Sequence, residues 1–507
     1  MGKGELDPAM GCFRRLLGVG FGRRHSRTQS LSRTPPMSDH STVASSLTTL
    51  EKNEQAPPYY ATHACTFCGR NRSSSEDTLP IQSKRQRVTV PPYSTRASSV
   101  NAENFHDFLG QDILKTIEAR IDSLSPELRE LSLDIWEHPE VAYEERHAHD
   151  VLTKFMSSQG FTVTPHYLGL ETAWKAIYSR GGKNGRVIGI NSEMDALPGI
   201  GHACGHNLIA VSGVAVAVAL KAAMETHDIS GTIILLGTPA EEHGGGKIKL
   251  LERGAYKEMN YRYVRSHPSP GPANTALVAP WLALQPLEVE FFGHGAHAAY
   301  SPWEAQNALD AAFLAYSNVS VLRQQLKPTY RVHGIVSGKD WEPNIIPDYA
   351  KMRWIIRAPT WAELEGLRAR ITNCFEAAAL ATSCKCKIIL GDGYYDVREN
   401  DVLGEEFCKF IEEQFGMNAD SSSQTIPAST DFGNVTYALP CITPTYNIPT
   451  KPNGSNHTPQ FAESAKDPAA HKVAMTASKG LAATALRVLQ DEEFYQRVVK
   501  SFEGERA

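Results

Sequence analysis

The spacing of apolar residues divides the chain into an unpatterned N-terminal segment and a patterned remainder. Residues 1–104 are rich in Ser, Thr, Arg and Pro and keep neither helical nor strand periodicity, which is typical of disorder. From Ile113 to Leu124, apolar residues recur at helical spacing. We therefore predict a disordered segment over 1–104 and a folded region from about residue 105.

The next part of the pattern predicts a second helix and then two strands. Ser125-Pro126 fits the cap and first turn of a helix that ends near Pro139. The runs at 171–178 and 186–195 flank the turn sequence "GGKNG". Such a pair of runs is typical of a β-hairpin.

Beyond this point, strands and helices are expected to alternate. Apolar runs at 187–190, 233–236 and 263–264 are separated by helix-like stretches, which indicates an α/β fold. The longest apolar run, 208–220, is shorter than the roughly 20 residues that a membrane-spanning helix needs. We predict a buried helix there and no membrane span.

Each of the three apolar runs is followed by side chains that can bind a metal ion. Polar residues that follow neighbouring parallel strands meet at one edge of an open α/β sheet, so these groups are expected to share one cleft. The candidates are Glu193, Asp195, Cys204 and His206 after the first run, Glu241 and Glu242 after the second, and His267 after the third.

The adjacent acids in "GTPAEEHGGG" (237–246) indicate what such a cleft does. Neighbouring carboxylates repel each other in a cleft unless cations neutralise them. One carboxylate can then bind metal while the other takes a proton from a metal-activated water. The predicted chemistry is hydrolysis.

The stretch "GHACGHN" (201–207) also allows two other interpretations. As a phosphate-binding turn it reads G-x-G-x-x-x-G from Gly199, one residue too long for the dinucleotide fingerprint, and its His and Cys would crowd the pyrophosphate. As a structural loop, Cys204 would be a small buried side chain. The joint placement of candidates at three strand ends favours the metal site.

Composition narrows the partners and the compartment. A formal net charge of −5 and a pI near 6.4 give no electrostatic reason to expect nucleic-acid binding.

Nine unevenly spaced cysteines are unlike a secreted disulfide framework, so a cytoplasmic location is expected. The Arg-rich, acid-free stretch 9–38 keeps a mitochondrial alternative open. His63, Cys65 and Cys68 lack the further ligands of a zinc site.

An ordered set of motifs resembles the di-metal exopeptidases and amidohydrolases typified by aminoacylase, carboxypeptidase G and the hippurate and indole-acetyl-amino-acid hydrolases. The resemblance covers about residues 110–490. At the position of Asn207, the hydrolases of the hippurate and indole-acetyl type usually carry Asp. This difference places the chain nearest the Xaa-Arg (β-alanyl-lysine) dipeptidase branch. The motifs are "SEMDALPG" (192–199), "GHACGHN", "GTPAEEHGGG", "SHPSPG" (266–271), "GHGAHAAYSPWEAQNALDA" (293–311), "NIIPD" (344–348) and "GSNHTP" (454–459).

The resemblance implies a role for individual residues. Glu241 would be the general base, Asp195 would orient a metal ligand, and His297 would stabilise the oxyanion in the active site of a partner subunit. Asn344 would contact substrate, and Glu193 has no assigned role. The implied metal ligands are Cys204, His206, Glu242, His267 and His457.

The resemblance also implies the architecture. A catalytic zinc-exopeptidase-like domain, with a central mixed sheet between helices, would be interrupted by a smaller two-layer α/β lid that forms a homodimer contact. Alternating strand and helix patterns place this lid at 285–397. The catalytic domain would then comprise 105–284 and 398–507.

The implied function is metal-dependent hydrolysis of an amide bond in a dipeptide of the Xaa-Arg or β-alanyl-lysine type. Two divalent metal ions are expected, with zinc favoured by the mixed N, O and S ligands and manganese or cobalt as alternatives. An N-acyl-amino-acid amidohydrolase is the alternative enzyme. An inactive relative that serves as a binding or scaffold protein is the alternative outside enzymes.

Overall fold

The fold begins with a long helix and continues through mixed sheets. The computed structural model describes residues 109–504, apart from 183–184, 258 and 260–262. The predictions of disorder, of a transit segment and of tail thiols all fall before residue 109 and lie outside the described residues. Everything below concerns the described part of the chain.

The described helices are α1 to α11 in chain order. Most of them pack their apolar faces onto the sheets or onto one another. They are α1 (Gln111–Glu137), α2 (Arg146–Ser158), α3 (His206–Thr226), α4 (Gly246–Glu252), α5 (Ala308–Leu322), α6 (Trp361–Thr382), α7 (Asp401–Phe415), α8 (Phe432–Thr436), α9 (Pro459–Ala465), α10 (Pro468–Gln490) and α11 (Glu492–Gly504).

The strands are β1 to β14. Three of the shorter ones have only two or three residues. They are β1 (Thr162–Thr164), β2 (Trp174–Arg180), β3 (Val187–Glu193), β4 (Gly231–Thr238), β5 (Tyr263–Val264), β6 (His267–Pro270), β7 (Thr275–Val278), β8 (Ala283–Phe292), β9 (Arg331–Gly338), β10 (Tyr349–Ala358), β11 (Lys385–Leu390), β12 (Asn418–Ser421), β13 (Cys441–Ile442) and β14 (Thr445–Ile448).

These strands form three sheets. The central sheet has the order β1-β2-β4-β3-β5-β13, in which β4, β3, β5 and β13 run parallel and β1 and β2 run antiparallel to their neighbours. A second sheet has the order β12-β7-β14-β6, and a third has the order β11-β8-β10-β9. This mixed arrangement confirms the predicted α/β class.

The predicted hairpin between β2 and β3 is wrong. Strand β4 lies between them, pairing antiparallel with β2 and parallel with β3. The runs on both sides of "GGKNG" are indeed strands, but local turn signals say nothing about a later strand that inserts between them. Ile233 and Leu235 of β4 are fully buried, so a central position in the sheet removes more apolar surface from water than an edge position would.

The two predicted N-terminal helices are one continuous helix. Helix α1 passes through Pro126, although proline cannot donate the usual helical hydrogen bond. Its buried stripe continues on both sides, from Ile117 and Ile121 to Leu128 and Ile135. Because this stripe packs along α3, tertiary packing outweighs the local signal for a break.

Helix α3 forms the centre of the main core. It is the one helix in the described residues that is long and apolar enough to cross a membrane by length and composition, but 89% of its apolar window is buried inside the protein. It packs against α1, α10 and β3. The prediction of a buried helix over 208–220 is confirmed.

The segment predicted as the lid (residues 285–397, the lid segment) contains the third sheet and two helices. Helices α5 and α6 cover one face of this sheet. Buried residues of these helices and of the sheet, among them Ala311, Phe375 and Trp354, form a core separate from that of the central sheet. The domain boundaries themselves stay predictions.

Candidate active site

The carboxyl ends of β3, β4 and β5 meet at one edge of the central sheet. The strands are parallel neighbours in the order β4-β3-β5. The loop after β3 carries Asp195 and Cys204, the loop after β4 carries Glu241 and Glu242, and His267 begins β6 directly after β5. The topology therefore brings together residues from three separate parts of the sequence.

Cys204, His206 and Glu242 form a group of side chains that could hold a metal ion, here called the metal-binding cluster. One ligand atom from each lies within 4.8 Å of the others. His206 Nε2 and Glu242 Oε1 are both buried without a hydrogen-bond partner, and Nε2 lies 3.6 to 3.8 Å from carboxylate oxygens of Glu193, Glu241 and Glu242. Because buried polar atoms are normally paired, these atoms and the thiol have the chemistry of donors to a divalent cation such as zinc.

A glycine allows Cys204 and His206 to face the same point. Gly205 has a left-handed backbone (φ 78°), and a Cβ atom there would lie 2.5 Å from Cγ of Pro268. A larger residue would therefore be strained and would collide with the β6 segment. The turn ends the loop and starts helix α3 at His206.

Asp195 orients both His206 and Glu242. His206 Nδ1 lies 2.6 Å from the Asp195 carbonyl oxygen and 3.1 Å from Oδ1, and the backbone N–H of Glu242 donates to Asp195 Oδ2 at 2.9 Å. Donation from Nδ1 leaves Nε2 to face the cleft. Burial alone would lower the pKa of His206, but Asp195 and Cys204 raise it well above the ordinary value. A bound cation would compete with this proton.

Glu241 lies beside this group in a buried position. Burial, followed by the charges of Glu193 and Glu242, raises the pKa of Glu241 to about 8. Its position is set by a turn at Ala240, whose φ of 57° is left-handed, and the Ala240 N–H donates to Glu145 Oε1 at 2.8 Å. A carboxyl group with this pKa is suited to accept and return a proton near neutral pH.

His267 and His457 come from two other segments and line the same cleft. Burial and then Arg265 hold the pKa of His267 well below its usual range, so the ring is neutral. His457 Nε2 lies 3.4 Å from Glu242 Oε2. Hydrogen bonds to Cys204 and Glu242 raise the pKa of His457 to about 10.

One cavity of about 300 Å³ connects these groups. It is lined by Cys204, Glu241, Glu242, His267 and His457, together with Trp281, Arg357 and residues of the 426–429 loop. Trp281 meets the His267 ring edge-on at a centroid distance of 4.9 Å. The cavity has the size of a site for a small molecule.

Two predicted residues, His297 and Asn344, lie elsewhere in the described structure. Both are exposed on the lid segment and do not line this cavity. The backbone N–H of Ala298 donates to the Asn344 carbonyl at 3.0 Å, which holds the two residues side by side. His297 Nδ1 accepts the N–H groups of Ala299 and Tyr300, each at 3.2 Å, so its Nε2 carries the proton and points away from them.

Sequence reasoning missed Arg357, which reaches the cavity from β10. Its Nη1 donates to Ser429 Oγ at 2.6 Å. Burial lowers the pKa of Arg357, against the attraction of Glu241. The signal was available in "RWIIRAP", where a second arginine falls on the strand face opposite the buried Trp354 and Ile356. That Arg357 faces the cavity depends on the position of the lid segment relative to the central sheet, and the strand pattern does not predict this position.

Comparison with known proteins agrees with this geometry. Peptidase family M20/M25/M40 matches residues 189–479. The chain belongs to peptidase family M20/M25/M40. It is 42% identical over 402 residues to the Xaa-Arg dipeptidase of Mus musculus, covering 76% of this chain and 90% of that protein, and 40% identical over 415 residues to the Xaa-Arg dipeptidase of Homo sapiens, covering 77% and 92%.

A solved structure shares the fold of this M20/M25/M40 chain. The Bacillus subtilis YXEP protein, described as a dinuclear metal-binding peptidase of the M20 family, matches with a TM-score of 0.57 at 19% identity and covers 73% of this chain and 99% of its own. Membership in the M20/M25/M40 family makes the chain a metal-dependent hydrolase that acts on peptide bonds. The prediction of the family from its motifs is confirmed.

Proposed function

We propose that the chain hydrolyses dipeptides with a basic C-terminal residue, using two divalent cations that we take to be zinc. The observation that carries this proposal is the shared cavity of about 300 Å³, which is lined by Cys204 and Glu242 of the metal-binding cluster, by the buried carboxyl group of Glu241 and by Arg357. The basic C-terminal residue is supported by the two relatives named Xaa-Arg dipeptidase.

Each group in the cavity has a place in this reaction. Arg357 would bind the free C-terminal carboxylate of the dipeptide through a charge-assisted hydrogen bond. Glu241 would take a proton from the attacking water and pass it to the leaving amine, which a pKa near 8 permits. The bound cations would polarise the scissile carbonyl and lower the pKa of water.

The cations would be held by the residues that the cavity brings together. Cys204, His206 and Glu242 offer the donor set with unpaired atoms. His457 would extend this set through its contact with Glu242. His267 would join it through Nε2 only if the proton of its neutral ring moves to Nδ1, the nitrogen that lies 3.2 Å from Arg265 Nη2. Imidazole, thiolate and carboxylate donors suit zinc, although manganese or cobalt would satisfy the carboxylate and imidazole positions.

The position of His297 supports a homodimer formed through the lid segment. His297 presents its protonated nitrogen on an exposed surface rather than to the cavity of its own chain. The same segment exposes Phe313, Val321 and Leu380 and has β9 as an open sheet edge. Apolar surface of this kind is typical of a contact between subunits, and His297 would then reach the partner's cavity. We also propose a cytoplasmic location.

Kinetics on paired substrates test this function. Arg357→Met should raise KM for a dipeptide by about 10- to 100-fold, because a charge-assisted anchor is lost. On the matching dipeptide amide, which lacks the carboxylate, the same substitution should change KM little. Higher kcat/KM on N-acyl amino acids than on any dipeptide would contradict the proposal in favour of an amidohydrolase.

A further inference from the structure

A buried ionic network lies directly behind the metal-binding cluster. It consists of two acids, Glu193 and Asp431, and two bases, Lys247 and Arg265. None of the four is more than 1% exposed. Burying a charge costs several kcal/mol unless it is paired, so a four-membered network at this position calls for an explanation beyond stability.

Glu193 is held by both bases. Its Oε1 lies 2.8 Å from Lys247 Nζ and 2.7 Å from Arg265 Nε, while its Oε2 accepts from Arg265 Nη2 at 2.8 Å. Lys247 Nζ also donates to Asp431 Oδ1 at 2.6 Å. Two acids and two bases balance, so the network is neutral without any further ion.

This balance bears on an alternative cation site. Glu193, His206 and Glu241 also have ligand atoms within 4.8 Å of one another. A dication at this second group would lie next to Arg265, which already approaches the carboxylates of Glu193 and Glu241. The repulsion between the dication and the guanidinium would be poorly screened in this buried environment. The group of Cys204, His206 and Glu242 has no lysine or arginine in contact among the described ion pairs; Glu242 pairs there with histidines, His206 and His457.

The network also reaches the reacting groups through Arg265. Arg265 Nη2 lies 3.2 Å from His267 Nδ1 and 3.9 Å from Glu241 Oε1. Glu193 contacts Nε and this same Nη2 of the guanidinium. Its carboxylate therefore fixes the direction in which Arg265 faces the base and the histidine.

We propose that Glu193 is a positioning residue and not a metal ligand: clamped by Lys247 and Arg265, it holds Arg265 against Glu241 and His267. The inference rests on the proposed function only in that the kinetic part of its test measures the proposed reaction. It gives a role to an acid that the sequence left without one, and it confines the cations to the side of the cluster that faces the cavity.

The test uses the full-length enzyme loaded with zinc and dialysed. Glu193→Gln alone leaves a buried charge uncompensated and can impair folding, so Glu193→Gln/Lys247→Met, which restores neutrality, is the second variant. Glu242→Gln is the matched control for a lost ligand. Metal per chain is measured by elemental analysis, and kcat and KM are measured on the substrate that the wild type hydrolyses best.

The double variant should bind as much zinc per chain as the wild type, whereas Glu242→Gln should bind less. The kcat of the double variant should fall by about 10- to 100-fold, as for other residues that orient reacting groups. Its KM should change by less than about threefold. Zinc loss equal to that of Glu242→Gln would overturn the inference, and so would an unchanged kcat. The zinc count needs no substrate, so it stands even if the proposed dipeptide specificity fails.

Discussion

At the scale of single residues, Glu241 is the group whose environment most directly suits it to catalysis. It is buried, its pKa is raised to about 8, and it lines the same cavity as Cys204 and Glu242. Its neighbour Glu242 has instead a buried carboxylate oxygen without a hydrogen-bond partner. The proposed division of labour, with Glu241 as base and Glu242 as ligand, follows from these two environments and stays a prediction.

Replacing Glu241 by Gln tests that division. The variant should lose about 10²- to 10⁴-fold in kcat, because general-base catalysis contributes on this order. Its content of divalent metal should stay at the wild-type level, since the donor atoms of Cys204, His206 and Glu242 are untouched. Turnover and elemental analysis on the same sample check both parts, and a wild-type rate would remove Glu241 as the base.

Single residues also show what a sequence can and cannot predict. Asn207 indicated the correct branch, yet it lies outside the cavity lining: its Nδ2 donates to Ser132 Oγ and to the Ala465 carbonyl. An aspartate could not make the second bond, so this marker residue reflects packing rather than specificity. Arg357 went unnoticed because its neighbours in space come from a distant part of the chain.

At the scale of elements, the strand runs were predictable and their pairing was not. Hydrophobic runs revealed β3, β4 and β5 and the convergence of their carboxyl ends. They could not reveal that β4 separates β2 from β3, because pairing depends on total burial across the sheet. Likewise, Pro126 looked like a helix start although α1 continues through it.

The contact between α1 and α10 gives a prediction about pH. His471 of α10 is bonded to Ser125 of α1, with Nε2 3.1 Å from the Ser125 carbonyl oxygen, and burial and then Arg129 lower the pKa of His471 to about 4. Above pH 6.5 the ring is neutral whether folded or unfolded. As pH falls from about 6.5 to 4, the unfolded chain takes up a proton that the folded chain excludes, so stability declines by up to about 3 kcal/mol.

His471→Gln should therefore flatten the acid side of the stability profile. The amide can still donate to Ser125 but does not titrate. Urea denaturation midpoints at pH 7, 5.5 and 4.5 should fall less steeply for the variant than for the wild type. Parallel profiles for the two proteins would show that this contact carries no part of the acid sensitivity.

At the scale of the whole molecule, the active site is expected to be complete only in a dimer. His297 and Asn344 lie together on the lid segment, away from the cavity of their own chain. A self-complementary contact between two lid segments would present each His297 to the partner. Family resemblance supplied this expectation, since no periodicity in the sequence could.

Mixing two inactive variants tests the exchange of His297. Co-expressed His297→Ala and Glu241→Gln subunits should regain about a quarter of wild-type activity, because half of randomly formed dimers would carry one intact site. Each variant alone should stay inactive. Mixtures no more active than the separate variants would place the action of His297 within its own chain or exclude it from the reaction.

The central claim is that side chains from three strand ends and from the loop carrying His457 hold a pair of divalent cations. Elemental analysis of active, dialysed enzyme, beside Cys204→Ala, tests it most directly. We predict about two divalent ions per wild-type chain and a marked loss of metal and activity together in Cys204→Ala. Full activity in wild-type enzyme that contains no divalent metal would contradict the account.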